Sequence, residues 1–355
     1  MHDVYLAGAA AWLPPATSPA AALAAGGYTA DENLSNKIVC LPTAGPDDHP
    51  TEMAVRAGTT ALARAGVDPD GVGLVLHASL YHQGRDFFWS PVSHVQHGLG
   101  LTSAYSVNVG QMSNGGMAAL SLAVAHLKAG VSPHAVVTTG DRFCEPGFFR
   151  WTADYGIVYG DGATAAVLST AGGFAKLLAF NSLTDPALER LHRGTEPLTA
   201  AMAAGPSGAV VDVRAVKKSY LIEVGVQHVL EATDAGMKKI VADTLAQAEL
   251  TVEDMRWVVL PSMGHALLEA QFLKPFGILE EQTTMSFGAR TGHLGAGDQI
   301  ASLAHLAETG ALAPGDRVLL LGSGGGFSWS AAVLQIESAP QWPEATTHVE
   351  LPDEG

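Results

Sequence analysis

Cysteine is almost missing. Cys40 and Cys144 are the only two in 355 residues, and they stand at no metal-ligand spacing. Neither a disulfide framework nor a zinc site is therefore indicated, and both thiols are expected to pack as small apolar side chains. Positive charge is scarce as well. Nineteen Lys and Arg against 35 Asp and Glu give a net charge of −16, which argues against a nucleic-acid backbone as partner. An anionic ligand has to find local positive charge, for which the candidates are Arg150, Arg214, Lys217, Lys218, Lys238 and Lys239; the plainer reading of the lysine pairs is a solvated helix face. No uninterrupted apolar run approaches the roughly 20 residues of a membrane helix. The opening "MHDVYLAGAAAWLPPATS" lacks the basic segment of a secretory signal, so a cytoplasmic protein is expected, with no membrane partner.

What is present is enough apolar material, 47% of residues, to bury a large core. Apolar β-rich runs such as "VGLVLHASL" (72–80), "AVVTTGD" (135–141), "RWVVLPSMG" (256–264) and "RVLLLGSGGG" (317–326) alternate with helical patterns. Those patterns lie at 50–66, 117–130, 225–250 and 297–310. The alternation predicts an α/β fold with helices packed over buried strands. "ALARAGVDPDGVGLVLHAS" and "TLAQAELTVEDMRWVVLPS" repeat one order of helix, loop and strand, which predicts an internal duplication. Its boundary falls near Gly172 and Gly173, giving halves 1–172 and 173–355. Residues 185–213 interrupt the second half and read as a surface excursion or a lid. The tail from Ser338 reads as a loose extension.

Three groups of residues carry chemistry. Ser113 follows the β-like "YSVNV" and precedes Asn114, Gly115 and Gly116, after which a helix begins. A side chain there is either a helix cap or a nucleophile aided by the free N–H groups of the helix head. The paired glycines favour the second reading, since they permit close approach of a ligand to the backbone. In "RTGHLGAGDQIASL" (290–303), His293 lies in a glycine-rich loop and Asp298 follows five residues later at a helix start, placed to orient the imidazole. With Ser113 they would form a Ser–His–Asp relay; the plainer reading of the pair is a loop histidine and a helix-capping aspartate. The order differs from that of α/β-hydrolases, and Gln111 breaks the G-x-S-x-G elbow. The third group is "LLLGSGGGFSWSAAVLQI" (319–336). Phe327 spoils a dinucleotide fingerprint there, and a strand-like segment follows. A tight turn between buried strands can instead aim a backbone N–H at an oxyanion, beside that of Ser113.

These segments, with "GIVYGDGATAAVLS" (156–169) and "VVLPSMGH" (258–265), resemble the type III β-ketoacyl synthases of the thiolase superfamily over nearly the whole chain. The resemblance implies a duplicated, five-layered αβαβα fold and a homodimer, with "LYHQGRDFFWSPVSHVQHGLGL" (80–101) near the dimer contact and pocket. It also exposes three departures. The family's nucleophilic cysteine is Ser113 here, its histidine after a proline is Ser262 after Pro261, and its asparagine is His293. The histidine and asparagine support decarboxylative condensation, so that chemistry loses its usual electrostatic help. For the oxyanion donor beside Ser113 the resemblance implies the N–H of Gly325.

A serine with a histidine in the asparagine position resembles the synthase-III-like acyltransferases of antibiotic pathways such as those of cervimycin and pactamycin. It also resembles the serine-nucleophile starter-unit enzyme of daunorubicin-type assembly. The expectation is an acyltransferase that carries an acyl group on Ser113 to a hydroxyl or amine of a small-molecule acceptor. The donor is a thioester of coenzyme A or of a carrier-protein phosphopantetheine, and no permanently bound cofactor or metal is expected. A starter-unit β-ketoacyl synthase acting on malonyl-carrier protein, or a silent partner of an active synthase, are the alternatives. His265, three residues beyond Ser262, and His192, in the excursion, are possible accessory groups. Phe87, Phe88, Trp89 and Met117 either line the pocket or pack the core.

Overall fold

A computed structural model describes residues 2–85, 88–195 and 210–350. Nine strands and seven helices matter to the site. In chain order they are β1 (Tyr5–Trp12), α1 (Pro50–Ala65), β2 (Val72–Ala78), β3 (Tyr105–Val109), α2 (Gly115–Lys128), β4 (His134–Asp141), β5 (Gly162–Ser169), β6 (Ala175–Thr184), α3 (Arg190–Arg193), α4 (Val213–Val224), α5 (Val226–Ala248), β7 (Trp257–Val259), α6 (Met285–Thr291), α7 (Asp298–Glu308), β8 (Arg317–Gly324) and β9 (Ser328–Ile336).

The strands lie in the order β3-β2-β4-β5-β1-β6-β9-β8-β7. The run is joined in the middle by only two residue pairs, Tyr5 with Lys176 and Leu6 with Ala175. On either side of that seam the same topology appears twice: β6, β7, β8 and β9 repeat the places of β1, β2, β4 and β5. The place of β3 is held by a single parallel bridge from Val258 to Thr283. Gly172 and Gly173 lie between β5 and β6.

Helices α2 and α7 touch each other and fill the space between the two sheets, α2 against β2, β4 and β6, and α7 against β1, β5, β7 and β8. Helix α1 covers the outer face of one sheet and α5 that of the other. Five layers, αβαβα, result. The strands show why their runs are almost wholly apolar. Successive side chains point to opposite faces, so Leu76 and Val137 enter the central cluster while Val75 and Val136 enter the one beneath α1. Likewise Leu320 points inward, and Leu319 and Leu321 meet the side of α5.

Strand β1 was not among the clear strands of the sequence because alanine dominates it. Its small residues are needed: a Cβ on Gly8 would lie 2.3 Å from the Ala61 carbonyl oxygen of α1. The tail departs from expectation. Trp342 packs on Phe174 and beneath the Arg64 guanidinium. Thr346 and Thr347 donate hydrogen bonds to Glu308, which is buried against Arg64 at 2.7 Å. A buried ion pair requires its remaining lone pairs to be satisfied, and the tail supplies the donors. The excursion is also docked where described. Leu188 and Leu191 join the cluster under α5, Tyr220 donates to the Ala187 carbonyl at 3.0 Å, and Arg190 grips Glu223 through two 2.7 Å bonds. Residues 196–209 of that excursion lie outside the described residues. Of the two thiols only Cys40 is buried; Cys144 is exposed.

Candidate active site

Ser113 sits in a single 3-10 turn, Met112–Asn114, between β3 and α2. Met112 adopts φ +48°, a left-handed conformation that a non-glycine residue takes at some cost. Asn114 is pinned underneath by donating to the Ser328 and Ser330 hydroxyls of β9 at 3.2 and 3.0 Å. No side chain caps α2, so the capping reading of Ser113 fails. Its hydroxyl is used elsewhere: Ser113 Oγ lies 2.8 Å from His293 Nε2.

The histidine is fixed on its other side. His293 Nδ1 is 2.6 Å from Asp298 Oδ2. A buried carboxylate there requires the proton on Nδ1, which leaves the Nε2 lone pair to accept from Ser113. Asp298 opens α7 and also accepts the backbone N–H groups of Ser262 and Leu294, both at 2.8 Å. Ser262 thus contributes a backbone donor to the carboxylate. Burial is the largest influence on His293 and opposes its charged form. Asp298, through charge and hydrogen bond, with Asp141 and Asp154 further off, outweighs it and raises the imidazole above its ordinary value.

The glycines serve contacts within the protein. A Cβ on Gly116 would meet the Ala296 carbonyl oxygen at 2.2 Å, so α2 and the His293 loop approach through that residue. Close approach of a ligand is therefore not what Gly116 is for. In the β8–β9 hairpin, Cβ atoms on Gly322 and Gly324 would fall 2.5 Å from Asn114 atoms. Gly325 continues that hairpin and lies against His192 and Met112: a Cβ there would be 2.9 Å from His192 Nδ1 and 3.3 Å from Met112 Cγ.

His192 consequently belongs to this neighbourhood. Its Nδ1 is buried with no partner among the described residues, and burial, helped by Lys217, pushes its pKa down to about 4. His265 does not join it. Its Nε2 meets Lys37 at 3.1 Å and Glu280 at 3.0 Å, because the chain turns into a short helix at that residue and carries the ring to the surface ion pair. Met117 is core, Phe88 is exposed, and Phe87 lies outside the described residues. The basic candidates are mostly spoken for. Arg150 is buried on Asp161, Lys217 on Asp154, Arg214 pairs with Glu32, and Lys238 and Lys239 pair with Asp234 and Asp243 along α5.

Sequence reasoning missed two supports of the histidine. Asp141, at the end of β4, accepts the N–H groups of Leu80, Tyr81 and Ala296 at 2.8, 2.7 and 3.2 Å, tying the His293 loop to the first half; burial nevertheless pushes its carboxyl up to about 7. The Tyr159 ring packs on the His293 ring with centroids 5.3 Å apart, and its hydroxyl donates to Asp154. Nothing local marks either residue, since both act across the chain.

Residues 245–336 match the C-terminal family of the 3-oxoacyl-(acyl-carrier-protein) synthases III. The β-ketoacyl-(acyl-carrier-protein) synthase III of Synechocystis sp. is 26% identical over 289 residues, 80% of this chain and 82% of that protein. The solved structure of the acyltransferase ChlB3 is 33% identical, covers 96% of this chain and 99% of its own, and superposes with a TM-score of 0.89. The chain belongs to the synthase III-like family of the thiolase superfamily. Synthase III of Pseudomonas aeruginosa PAO1, 22% identical over 95% of this chain and 99% of its own, shares the fold with a TM-score of 0.76. No helix among the described residues is long and apolar enough to cross a membrane.

Proposed function

We propose that this chain is an acyltransferase that works through an acyl-serine. The observation that carries the reading is the unbroken line from Ser113 Oγ through His293 to Asp298, at 2.8 and 2.6 Å. His293 Nε2 takes the Ser113 proton as the oxygen bonds to the carbonyl carbon of a thioester, from coenzyme A or a carrier-protein phosphopantetheine. The tetrahedral oxyanion is assigned to the backbone N–H groups of Ser113 and Gly325. The C–S bond breaks, and the leaving thiolate takes the proton from the imidazolium. In the second half His293 removes a proton from an incoming hydroxyl or amine, which attacks the serine ester; the C–O bond to Ser113 breaks and the proton returns to its oxygen. Asp298 stabilises the imidazolium in both halves.

Acceptors of the specialised-metabolite class, with hydroxyl or amine groups, fit this chemistry. A homodimer, with residues 80–101 near the contact, completes the reading. A starter-unit synthase is the second reading, and the position of His192 against Gly325 is what favours it, as a neutral imidazole beside the nucleophile turn.

The test is intact-protein mass after incubation of wild type and Ser113→Ala with short acyl-coenzyme A thioesters. A hydroxylamine-sensitive gain of one acyl group, absent from the variant, is expected. Equal turnover by both proteins, with no adduct, would return Ser113 to a structural role. Product analysis then separates the readings: an ester or amide supports acyl transfer, and a β-ketoacyl product with carbon dioxide supports condensation.

A further inference from the structure

Beneath the His293 ring lies a second polar chain that the acyl-transfer steps do not use. Tyr159 packs against the imidazole, and the backbones of the two residues are stitched together: the His293 N–H donates to the Val158 carbonyl at 2.8 Å, and the Gly160 N–H donates to the His293 carbonyl at 3.1 Å. Tyr159 is buried and its hydroxyl donates to Asp154 Oδ2 at 3.0 Å. Lys217 Nζ then grips both oxygens of Asp154 at 2.8 Å each. Asp154 is 1% exposed, so its carboxyl is held by this lysine, by the Tyr159 hydroxyl and by the Tyr155 N–H at 2.7 Å.

Lys217 comes from α4, the helix that follows the excursion. Tyr220 is its only buried residue. Leu221 and Val224 pack only partly buried against the cluster under α5, so the helix leans as well on its polar ties, which include Lys217 to Asp154, Arg214 to Glu32 and to the Asp154 carbonyl, Tyr220 to the Ala187 carbonyl, and Glu223 to Arg190. One of these ties ends on the carboxyl that accepts from the hydroxyl of the ring under the base.

We propose that Lys217 is a positioning residue for His293: by holding Asp154 against the Tyr159 hydroxyl it fixes the ring on which the imidazole packs, so the base is set when α4 is docked. The proposal rests on His293 acting as the base. A misplaced base loses rate steeply, because proton transfer needs hydrogen-bond geometry. The titratable groups facing His293 are Asp298, Asp141, Asp154 and Tyr159; those facing Lys217 are Asp154 and His192.

Two readouts test it on the full chain. The first is the rate of Ser113 acylation by propionyl-coenzyme A, followed by intact mass against pH. The second needs no donor: the His293 imidazole titration by 15N NMR, assigned with His293→Gln. Lys217→Met is expected to slow acylation about tenfold. It should also raise the His293 midpoint by roughly half a pH unit, since the unneutralised Asp154 carboxylate favours the imidazolium. Asp154→Asn with Lys217→Met removes both charges and should bring the midpoint back. Tyr159→Phe, which cuts the chain but keeps the ion pair, should slow acylation without raising the midpoint. Lys218→Met, on the exposed side of α4, controls for charge alone. An acylation rate in Lys217→Met within about twofold of wild type, with the midpoint unmoved, overturns the proposal, and a rate loss that Tyr159→Phe does not share reduces Lys217 to a fold-stabilising residue. A wild type that is never acylated overturns the acyl-serine reading instead, while the NMR titration still decides the role of Lys217.

Discussion

Asp298→Asn is the sharpest perturbation of the relay, because the amide cannot satisfy what the carboxylate satisfies. Oδ2 accepts from His293 Nδ1 and the Ser262 N–H, and Oδ1 accepts from the Leu294 N–H. If the amide nitrogen takes the Oδ1 place, it faces the Leu294 donor and leaves it unpaired, at about 1–3 kcal/mol. If it takes the Oδ2 place, it donates to His293 and forces the proton onto Nε2, which can no longer receive one from Ser113. Either way the imidazolium loses a charge-assisted hydrogen bond worth about 1.5–3 kcal/mol. At 1.36 kcal/mol per decade that is roughly 10- to 150-fold in acylation rate, and the tautomer reversal adds to it, up to about 10⁴-fold. The pH dependence has a definite sign as well. Burial lowers the His293 pKa and Asp298 is the next cause, acting to raise it, so removing the charge lets burial prevail. The base is active when unprotonated, so the acidic limb of the variant's residual activity moves to lower pH. The assay is single-turnover acylation by propionyl-coenzyme A between pH 5 and 9. A rate within threefold of wild type, with the limb unmoved, would refute the relay.

Two further predictions draw on other parts of the molecule. Gly325→Ala places a methyl 2.9 Å from His192 Nδ1 and 3.3 Å from Met112 Cγ, so loss of acylation by about tenfold or more is expected, with an overpacking cost of about 1–3 kcal/mol. His192→Ala in the same chain should relieve the stability cost in urea melts, and no relief would place the clash elsewhere. His77 is fully buried between Thr138 and Gln83, and burial pushes its pKa down to about 4. Its folded pKa lies below the unfolded one, so the unfolded chain binds the extra proton and stability falls as pH drops from about 6.5 to 4. The full loss is about 3 kcal/mol. Urea midpoints at pH 7 and 4.5 for wild type and His77→Gln check this, and an equal decline in both proteins would sink it.

The layered α/β architecture was legible because strands buried on both faces must be apolar at every position, and the helices between them carry a 3.6-residue period. β1 escaped because alanine carries neither signal; its composition answers to the close approach of α1 at Gly8. The His293 and Asp298 pair was legible for a local reason, since a loop and the helix it opens hold residues five apart within reach of each other. The tail misled because its threonines and Trp342 show no periodicity; they answer to one buried glutamate and one arginine in distant helices. His265 misled for the opposite reason, being near Ser262 in sequence and turned outward by the helix it begins.

Sequence by itself determined the alternation of apolar strands and helices outside β1, the duplicated order, and the local pairing of a histidine with its carboxylate, because each depends on residues a few positions apart. Tertiary structure alone decided that Ser113 meets His293 across 180 residues, that Asp141 ties the base loop to the first half, and that Lys217 holds the Asp154 carboxyl to which the Tyr159 hydroxyl donates. Those contacts exist because two sheets stack on a shared pair of helices, α2 and α7, and bring the head of one, with its serine turn, against the loop that opens the other. No spacing within the chain encodes that meeting; the packing of the central layer does.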